Sequence, residues 1–204
     1  MQFDLVFIII RIMKKTLIIL VLLFSSSVVA DDISDFEIEG MSIGDNLLDF
    51  FSEEEVESHI RNEAYQYKKD KKFKTVQFYK FPFFKTYEYL VISYKTINSK
   101  NFEIGSVSGG IIFNDFQKCI LKQDEIIEEF SSLFPGINKD NKEIFDHQSD
   151  PSGKSKVSSI SQVINGGDIT IQCFDFSEEM NWQDSLQVTI GTEDVRIWFS
   201  NRID

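Results

Sequence analysis

The chain contains 204 residues and carries a formal net charge of −12, with 42% hydrophobic and 26% charged residues. This composition is typical of a globular protein and excludes the disordered and collagen-like classes. The acidic excess argues against nucleic acid as a partner, because phosphate contacts require clustered lysine and arginine. It also argues against a basic patch that would hold anionic lipid.

Residues 13–30 have the organisation of a bacterial secretory signal peptide. Two lysines follow Met13, a short apolar run comes next, and small residues precede a predicted cleavage site between Ala30 and Asp31. The apolar run is shorter than the roughly 20 residues that a membrane span needs. We therefore expect translation to begin at Met13. The alternative is a longer, uncleaved anchor that also uses residues 5–10.

Cleavage at this site makes residues 1–30 the signal peptide and residues 31–204 a single mature domain. No stable membrane span is then expected in the mature chain. The predicted location is the periplasm or the outside of the cell. In such an oxidising compartment a pair of cysteines usually forms a disulfide.

The first half of the mature chain is predicted to contain a broken helix and then three strands. The helical stretch begins at residues 40–42 and is interrupted at Ser52, which forms a capping box with Glu55. Runs rich in β-branched and aromatic residues predict strands over 74–81, 87–96 and 102–113. Gly109 and Gly110 in the third run indicate a bulge or a close approach of the backbone to a neighbour.

The second half is predicted to contain a helix, three strands and a closing helix. The first of these helices starts after Asn114 and has apolar residues at helical spacing, including Phe116, Cys119, Ile127 and Phe130. A polar loop over 138–156 precedes strands over 157–164, 169–176 and 186–190. Thr192 is predicted to cap the closing helix, whose inward-facing residues are Val195, Trp198 and Phe199.

The predicted order is therefore α-βββ-α-βββ-α. Runs of strands separated by single helices are typical of the α+β class. We expect an antiparallel sheet of about six strands with the helices packed on one face.

The two cysteines are predicted to face the same helix–sheet interface. Cys119 lies on the apolar stripe of the second helix, and Cys173 shares a strand face with Ile169 and Ile171. A bridge at such an interface can reach ordinary disulfide geometry. We predict a structural disulfide between them; the alternative is two separate buried thiols.

An aromatic segment joins the first two predicted strands, where a polar turn would be usual. It contains Phe81, Phe83 and Phe84, with Tyr79 and Tyr87 beside it. Three exposed phenylalanines are costly in water, so a covering element is expected. The segment is either buried under its own chain or forms a docking surface for a partner or ligand. A membrane-dipping tip is the third possibility.

No motif in the sequence identifies an enzyme, a cofactor or a metal site. Nucleophile-elbow, zinc-type histidine and calcium-loop patterns are all missing from the sequence. We therefore assign no catalytic residue, no cofactor and no metal ligand. His147, within the polar cluster at 146–150, leaves open a hydrolase that acts on envelope material.

Four segments of the mature chain resemble a group of small exported proteins from AT-rich marine alphaproteobacteria of the Pelagibacter kind. They are FEIEGMSIGD at 36–45, DFQKC at 115–119, DPSGKSK at 150–156 and CFDF at 173–176. The resemblance implies export and carries no activity with it.

A shorter likeness, over about a dozen residues, is to envelope modules of the β-lactamase-inhibitor and outer-membrane-assembly type. Those modules also start a helix with Gly-Met-Ser or Gly-Met-Thr, here residues 40–42, and pack helices on an antiparallel sheet. This likeness implies a protein-binding module rather than an enzyme.

These observations favour a non-catalytic exported protein-interaction module whose partner is an unknown envelope protein. The alternative is a periplasmic protein that binds a small molecule or an ion, and an envelope hydrolase comes third. A pocket in the folded protein would favour the small-molecule alternative.

Overall fold

The computed structural model describes residues 32–60, 71–96, 102–134 and 136–200. The predicted signal peptide, the start at Met13, the cleavage site at Ala30 and Asp31 and the anchor alternative lie outside the described residues.

One antiparallel sheet of seven strands organises the described part of the chain. The strands of the described residues are β1 Glu37–Ile38, β2 Met41–Ser42, β3 Phe73–Tyr79, β4 Tyr89–Lys95, β5 Ile104–Ile112, β6 Glu143–Asp146, β7 Lys156–Ile164, β8 Gly167–Asp175 and β9 Ser185–Thr192. β1 and β2 form a two-stranded hairpin that precedes the sheet, and the seven strands of the sheet lie in the order β3-β4-β5-β9-β8-β7-β6.

Three α-helices and four short 3-10 turns complete the structure within the described ranges. The helices are α1 Glu53–Ser58, α2 Phe116–Ser131 and α3 Glu193–Ser200. The 3-10 turns are Ile33–Asp35, Leu47–Asp49, Lys139–Asn141 and Glu178–Met180. No helix of the described residues combines the length and the apolar character needed to cross a membrane.

The predicted α+β class is confirmed, but the strand count and the element order differ from the prediction. β6 lies inside the segment that was predicted to be a polar loop, and all four of its residues are exposed. A short edge strand without a buried face has no apolar–polar alternation to reveal it. The order after α2 is therefore four strands rather than three.

The expected helix start at residues 40–42 is also corrected. Glu39 and Gly40 both have positive φ, and they form the turn of the β1–β2 hairpin. Two residues in the left-handed region of φ, followed by Met41–Ser42 in a strand, are incompatible with the start of a right-handed helix. The helix begins only at α1, where Ser52 and Glu55 form the predicted capping box.

The two faces of the sheet differ in chemistry because side chains alternate along each strand. One register row of the buried face runs through Val76, Ile92, Val107, Ile190 and Ile169. All five are almost fully buried. Helix α2 and residues 33–60 cover this face, and together with it they form the main hydrophobic core.

The expectation that all helices pack on one face of the sheet is wrong. Helix α3 follows β9 without a loop and lies against Phe73, on the face opposite α2. Val195 and Trp198, one turn apart on α3, form with Phe73 a small second core. The predicted cap is confirmed, because the Thr192 hydroxyl accepts a hydrogen bond from the Val195 N–H.

Candidate functional site

The aromatic segment between β3 and β4 packs back onto the main core. Phe81, Phe83 and Phe84 are each half-buried against it. Phe51 stacks on Phe78 with ring centroids 3.8 Å apart, and Phe81 meets Phe51 edge-on at 5.1 Å. The segment therefore covers the end of the core, as the burial alternative predicts, while leaving part of each ring in solvent.

A single carboxylate fixes the backbone of this segment. The Glu39 carboxylate accepts hydrogen bonds from the N–H groups of Lys85, Thr86 and Tyr87 at 2.8, 2.7 and 2.9 Å. Tyr87 itself is buried, and its burial beside Glu39 raises the pKa of the phenol. Tyr87 therefore contributes to the interior rather than to an outer surface.

Tyr79 lies on the opposite face of the sheet from Phe78 because neighbouring positions in a strand alternate. It is 51% exposed and packs against Tyr89, with ring centroids 5.5 Å apart. The structure thus brings Phe81, Phe83 and Phe84 together, leaves Tyr79 on the other face of the sheet, and buries Tyr87 within the core cluster on which the phenylalanines pack. A docking role for the phenylalanines stays a prediction.

The predicted disulfide between Cys119 and Cys173 is confirmed. The two Cα atoms are 5.9 Å apart, and the bond ties α2 to β8. Both cysteines are fully buried. A disulfide is compatible with an oxidising compartment.

The second face of the sheet carries a groove of about 500 Å³ that sequence reasoning missed. Three register rows cross its floor. The row nearest α3 contains Thr75, Ser93, Ser106, Gly191 and Asp168; the next contains Val91, Ser108, Thr189, Thr170 and Ser161; the third contains Gln187, Gln172 and Ser159. The floor is therefore made almost entirely of hydroxyl and amide side chains.

Hydrogen bonds between neighbouring strands hold several of these side chains in place. The Thr75 and Ser93 hydroxyls are 3.1 Å apart, and the Thr189 hydroxyl donates to Ser108 at 2.8 Å. A hydroxyl has one donor and two acceptor positions, so each of these groups retains capacity for a further partner. The floor hydroxyls are therefore held in place and still have positions free for hydrogen bonds to a further partner.

Tyr89 lies in the same register row as the lining residue Gln187, at the side of the groove away from α3. Its hydroxyl donates to Ser185 at 2.8 Å and accepts from the Gln187 amide at 3.0 Å. The ring lies over Gly110, where a Cβ atom would come within 2.0 Å of it. Gly109 accommodates Tyr87 in the same way on the other face, at 2.5 Å. The close backbone approach predicted for these glycines is confirmed.

Helix α3 forms the other end, where Val195, Arg196 and Phe199 line the groove. Asp168 lies here with its side chain largely buried. Its Oδ2 accepts a hydrogen bond from Thr170 at 3.2 Å, whereas its buried Oδ1 has no hydrogen-bond partner. The nearest cationic atom is Nε of Arg196, at 3.7 Å.

Burial raises the pKa of Asp168, although the Thr170 hydrogen bond and the Arg196 charge act in the opposite direction. An ionised carboxylate in this position has lost part of its hydration without full replacement. Asp168 is therefore a strong hydrogen-bond acceptor with an unused oxygen at the end of a polar groove.

His147, the basis of the hydrolase alternative, lies in an aromatic cluster away from the groove lining. Its ring contacts Phe176 and Trp182 at centroid distances of 5.2 and 5.6 Å. Nδ1 of His147 accepts a hydrogen bond from the Ser149 N–H at 3.2 Å. Across the described ranges, acidic, histidine and cysteine side chains form no cluster that could hold a metal ion.

No protein-family model, no curated protein and no solved structure matches the chain.

The sequence contains only a partial signal for the groove. Ser and Thr occupy alternate positions at Ser106 and Ser108, at Ser159 and Ser161, and at Thr170. Small polar residues at alternate positions of β5 and β7 indicate that each strand has a polar face. What the sequence does not show is that β5, β9, β8 and β7 join these positions into one continuous face.

Proposed function

We propose that the mature protein is a non-catalytic binding protein of the periplasm or the extracellular space, which holds a small polar ligand in the groove. The observation that carries this proposal is the polar floor formed by neighbouring strands, in which Asp168 is the only charged residue of the described rows. Its volume of about 500 Å³ falls within the roughly 300–1,000 Å³ typical of small-molecule sites. Of the functions expected from the sequence, the groove favours the small-molecule alternative.

The composition of the floor supports binding over simple exposure to solvent. Charged residues make up 26% of the chain, yet Asp168 and Arg196 are the only charged residues that line the groove within the described part of the chain. Solvent-facing sheet surfaces ordinarily carry charges that maintain solubility. Hydroxyl and amide side chains in the floor can instead donate hydrogen bonds to a ligand and accept hydrogen bonds from it.

The disulfide between Cys119 and Cys173 supports the proposed location, because such bonds persist in oxidising compartments. Removal of a signal peptide after Ala30 belongs to the same proposal. Sequencing the amino terminus of the protein purified from the envelope fraction tests it. An amino terminus at Asp31 is the expected result.

A protein-interaction module remains a second candidate because of the aromatic segment. Phe81, Phe83 and Phe84 keep part of their rings in solvent. Partly exposed aromatic side chains are common anchors in protein interfaces. Crosslinking in cells, with Phe83→Ser and Phe84→Ser as variants, tests this candidate separately from the groove.

The groove is tested by nuclear magnetic resonance of the mature, oxidised protein titrated with a library of small polar metabolites. We expect a binder to shift the amide signals of Ser106, Thr170 and Thr189. Ser161→Trp should block the groove and abolish the shifts, because position 161 is exposed within the lining.

Leu121→Trp is the matched control, since Leu121 is 65% exposed on α2, on the other side of the sheet. Binding should survive this substitution. A library without any groove binder, or a binder that tolerates Ser161→Trp, would contradict the proposal.

A further inference from the structure

We propose that the ligand of the groove is a neutral saccharide and that Asp168 binds one of its hydroxyl groups. This inference rests on the proposed function and names the ligand class of the same site. It follows from four properties of the groove: the type of its polar groups, its charge, the unused oxygen of Asp168 and its apolar edges.

The polar groups of the floor match those of a sugar. Serine and threonine hydroxyls and glutamine amides each donate and accept hydrogen bonds. A saccharide presents hydroxyl groups that also do both, at close and regular intervals. Neighbouring floor side chains are spaced about 4.8 Å across strands and about 6.6 Å along them, so one ring can reach several floor groups together.

The charge of the groove selects against ionic ligands. Asp168 and Arg196, the only charged residues in the described lining, lie close together and offset each other. An anionic or cationic ligand would lose hydration in the groove without gaining an unpaired counter-charge. A neutral ligand avoids this cost.

Asp168 supplies the strongest single contact. Its Oδ1 is buried without a hydrogen-bond partner, and hydrogen bonds to an ionised acceptor are roughly twice as strong as neutral ones. Nε of Arg196 lies 3.7 Å from Oδ1, and the Arg196 side chain is half-exposed, so this side chain can shift to admit a ligand hydroxyl while its charge stays close to Asp168. A ligand hydroxyl then donates to Oδ1.

Gly191 leaves the space that such a hydroxyl needs. It stands between Ser106 and Asp168 in the row nearest α3. A Cβ atom at this position would come within 3.2 Å of the Ser106 Cβ. Any larger residue would narrow the floor beside the Asp168 carboxylate.

The apolar edges suit the C–H faces of a sugar ring. Phe199 and Val195 line the groove at the α3 end, and Val91 lies in its floor. Sugar rings carry apolar patches of C–H groups between their hydroxyls, and these patches can cover such side chains. A ligand without C–H faces would leave these apolar side chains in contact with water.

The experiment is calorimetric and magnetic-resonance titration of the mature protein with three kinds of probe. Maltose, cellobiose, lactose and N,N′-diacetylchitobiose are the neutral saccharides, glucuronate is the anionic counterpart, and N-acetylglycylglycine amide is the neutral polar non-saccharide. We expect at least one neutral disaccharide to shift groove amides, and glucuronate to bind more weakly than that sugar.

Asp168→Asn should weaken the binding of that sugar about tenfold or more, which is the loss expected for one charge-assisted hydrogen bond. Asp146→Asn, in exposed β6 and outside the groove lining, should leave the affinity unchanged. Gln172→Leu gives a second groove variant that should also weaken binding, and thermal unfolding confirms that each variant is folded.

The outcomes separate this inference from the proposed function. Binding of N-acetylglycylglycine amide or glucuronate in the groove, with no saccharide binding, overturns the ligand class and leaves the function standing. Saccharide binding that is unaffected by Asp168→Asn overturns the role of Asp168. No groove binding by any of these probes or by the metabolite library overturns both proposals.

Discussion

At the scale of single residues, two adjacent glycines decide how aromatic side chains pack on both faces of β5. Gly109 accepts the Tyr87 ring on the core face, and Gly110 accepts the Tyr89 ring on the groove face. Neither glycine has a positive φ. Their role is therefore the absence of a side chain rather than an unusual backbone conformation.

Gly110→Ala should destabilise the protein by about 1–3 kcal/mol, which is the usual cost of overpacking a close contact. The added Cβ would come within 2.0 Å of the Tyr89 ring and must displace it. Denaturant unfolding of the single variant measures this cost.

The matched control is the same substitution in a Tyr89→Ala background. There the added methyl group meets no ring, so we expect a smaller cost. An equal cost in both backgrounds would show that the ring contact is not the cause.

At the scale of elements, α2 is tied to the sheet by the disulfide and by a buried glutamine. The side-chain amide of Gln123 donates to the Ser158 and Ile171 carbonyls at 3.1 and 2.9 Å. Its oxygen accepts from the Ser158 hydroxyl at 2.7 Å. Ser158 pairs directly with Cys173 across the strands, so these contacts form one attachment point between helix and sheet.

Replacing both Cys119 and Cys173 with alanine should lower the free energy of unfolding by about 4 kcal/mol, because the bond restricts the unfolded chain. The closed loop has a sequence separation of 54 residues. Urea unfolding of the oxidised protein and of the double variant gives the difference.

Reductant should destabilise the wild-type protein and leave the double variant unaffected. If the reduced wild-type protein unfolds at the same urea concentration as the oxidised one, the bond contributes no stability and the prediction is wrong.

At the scale of the whole molecule, two buried carboxylates respond to pH in opposite directions. Hydrogen bonds from the Ser155 hydroxyl, and then from Ser152, lower the pKa of Asp150. Burial raises the pKa of Asp168. Asp150 therefore stabilises the fold when it is ionised, whereas ionised Asp168 destabilises it.

The direction of each pKa shift decides whether the folded protein gains or loses stability when that carboxyl group ionises. Stability from Asp150 is present above the ordinary aspartate pKa of about 4 and is lost as the pH falls below it. Stability associated with Asp168 is present below about pH 4 and is lost as the pH rises through its raised pKa. Asp150→Asn should therefore lower stability at pH 7 and flatten the loss on acidification.

Asp168→Asn should raise stability at pH 7 relative to the wild-type protein. Unfolding midpoints of both variants between pH 3 and pH 7 measure the two effects. Parallel pH profiles for the two variants would contradict the opposite signs.

Local chemistry made much of this fold predictable from the sequence. Strand alternation, the Ser52–Glu55 capping box and the apolar stripe around Cys119 depend on neighbours within a few residues along the chain. The disulfide was predictable because Cys119 lies on the apolar stripe of a helix and Cys173 on the apolar face of a strand. The helical and strand periods therefore direct both side chains into the core. These features needed no knowledge of strand order.

The tertiary structure alone decided the groove, the position of α3 and strand β6. Ser93, Ser106 and Thr189 are far apart in sequence and become neighbours only through the order β4-β5-β9. The Oδ1 of Asp168 lies 3.7 Å from Nε of Arg196 only because α3 follows β9 onto this face of the sheet. Such contacts depend on long-range pairing, which local patterns do not specify, and this is why the candidate site could not be found from the sequence.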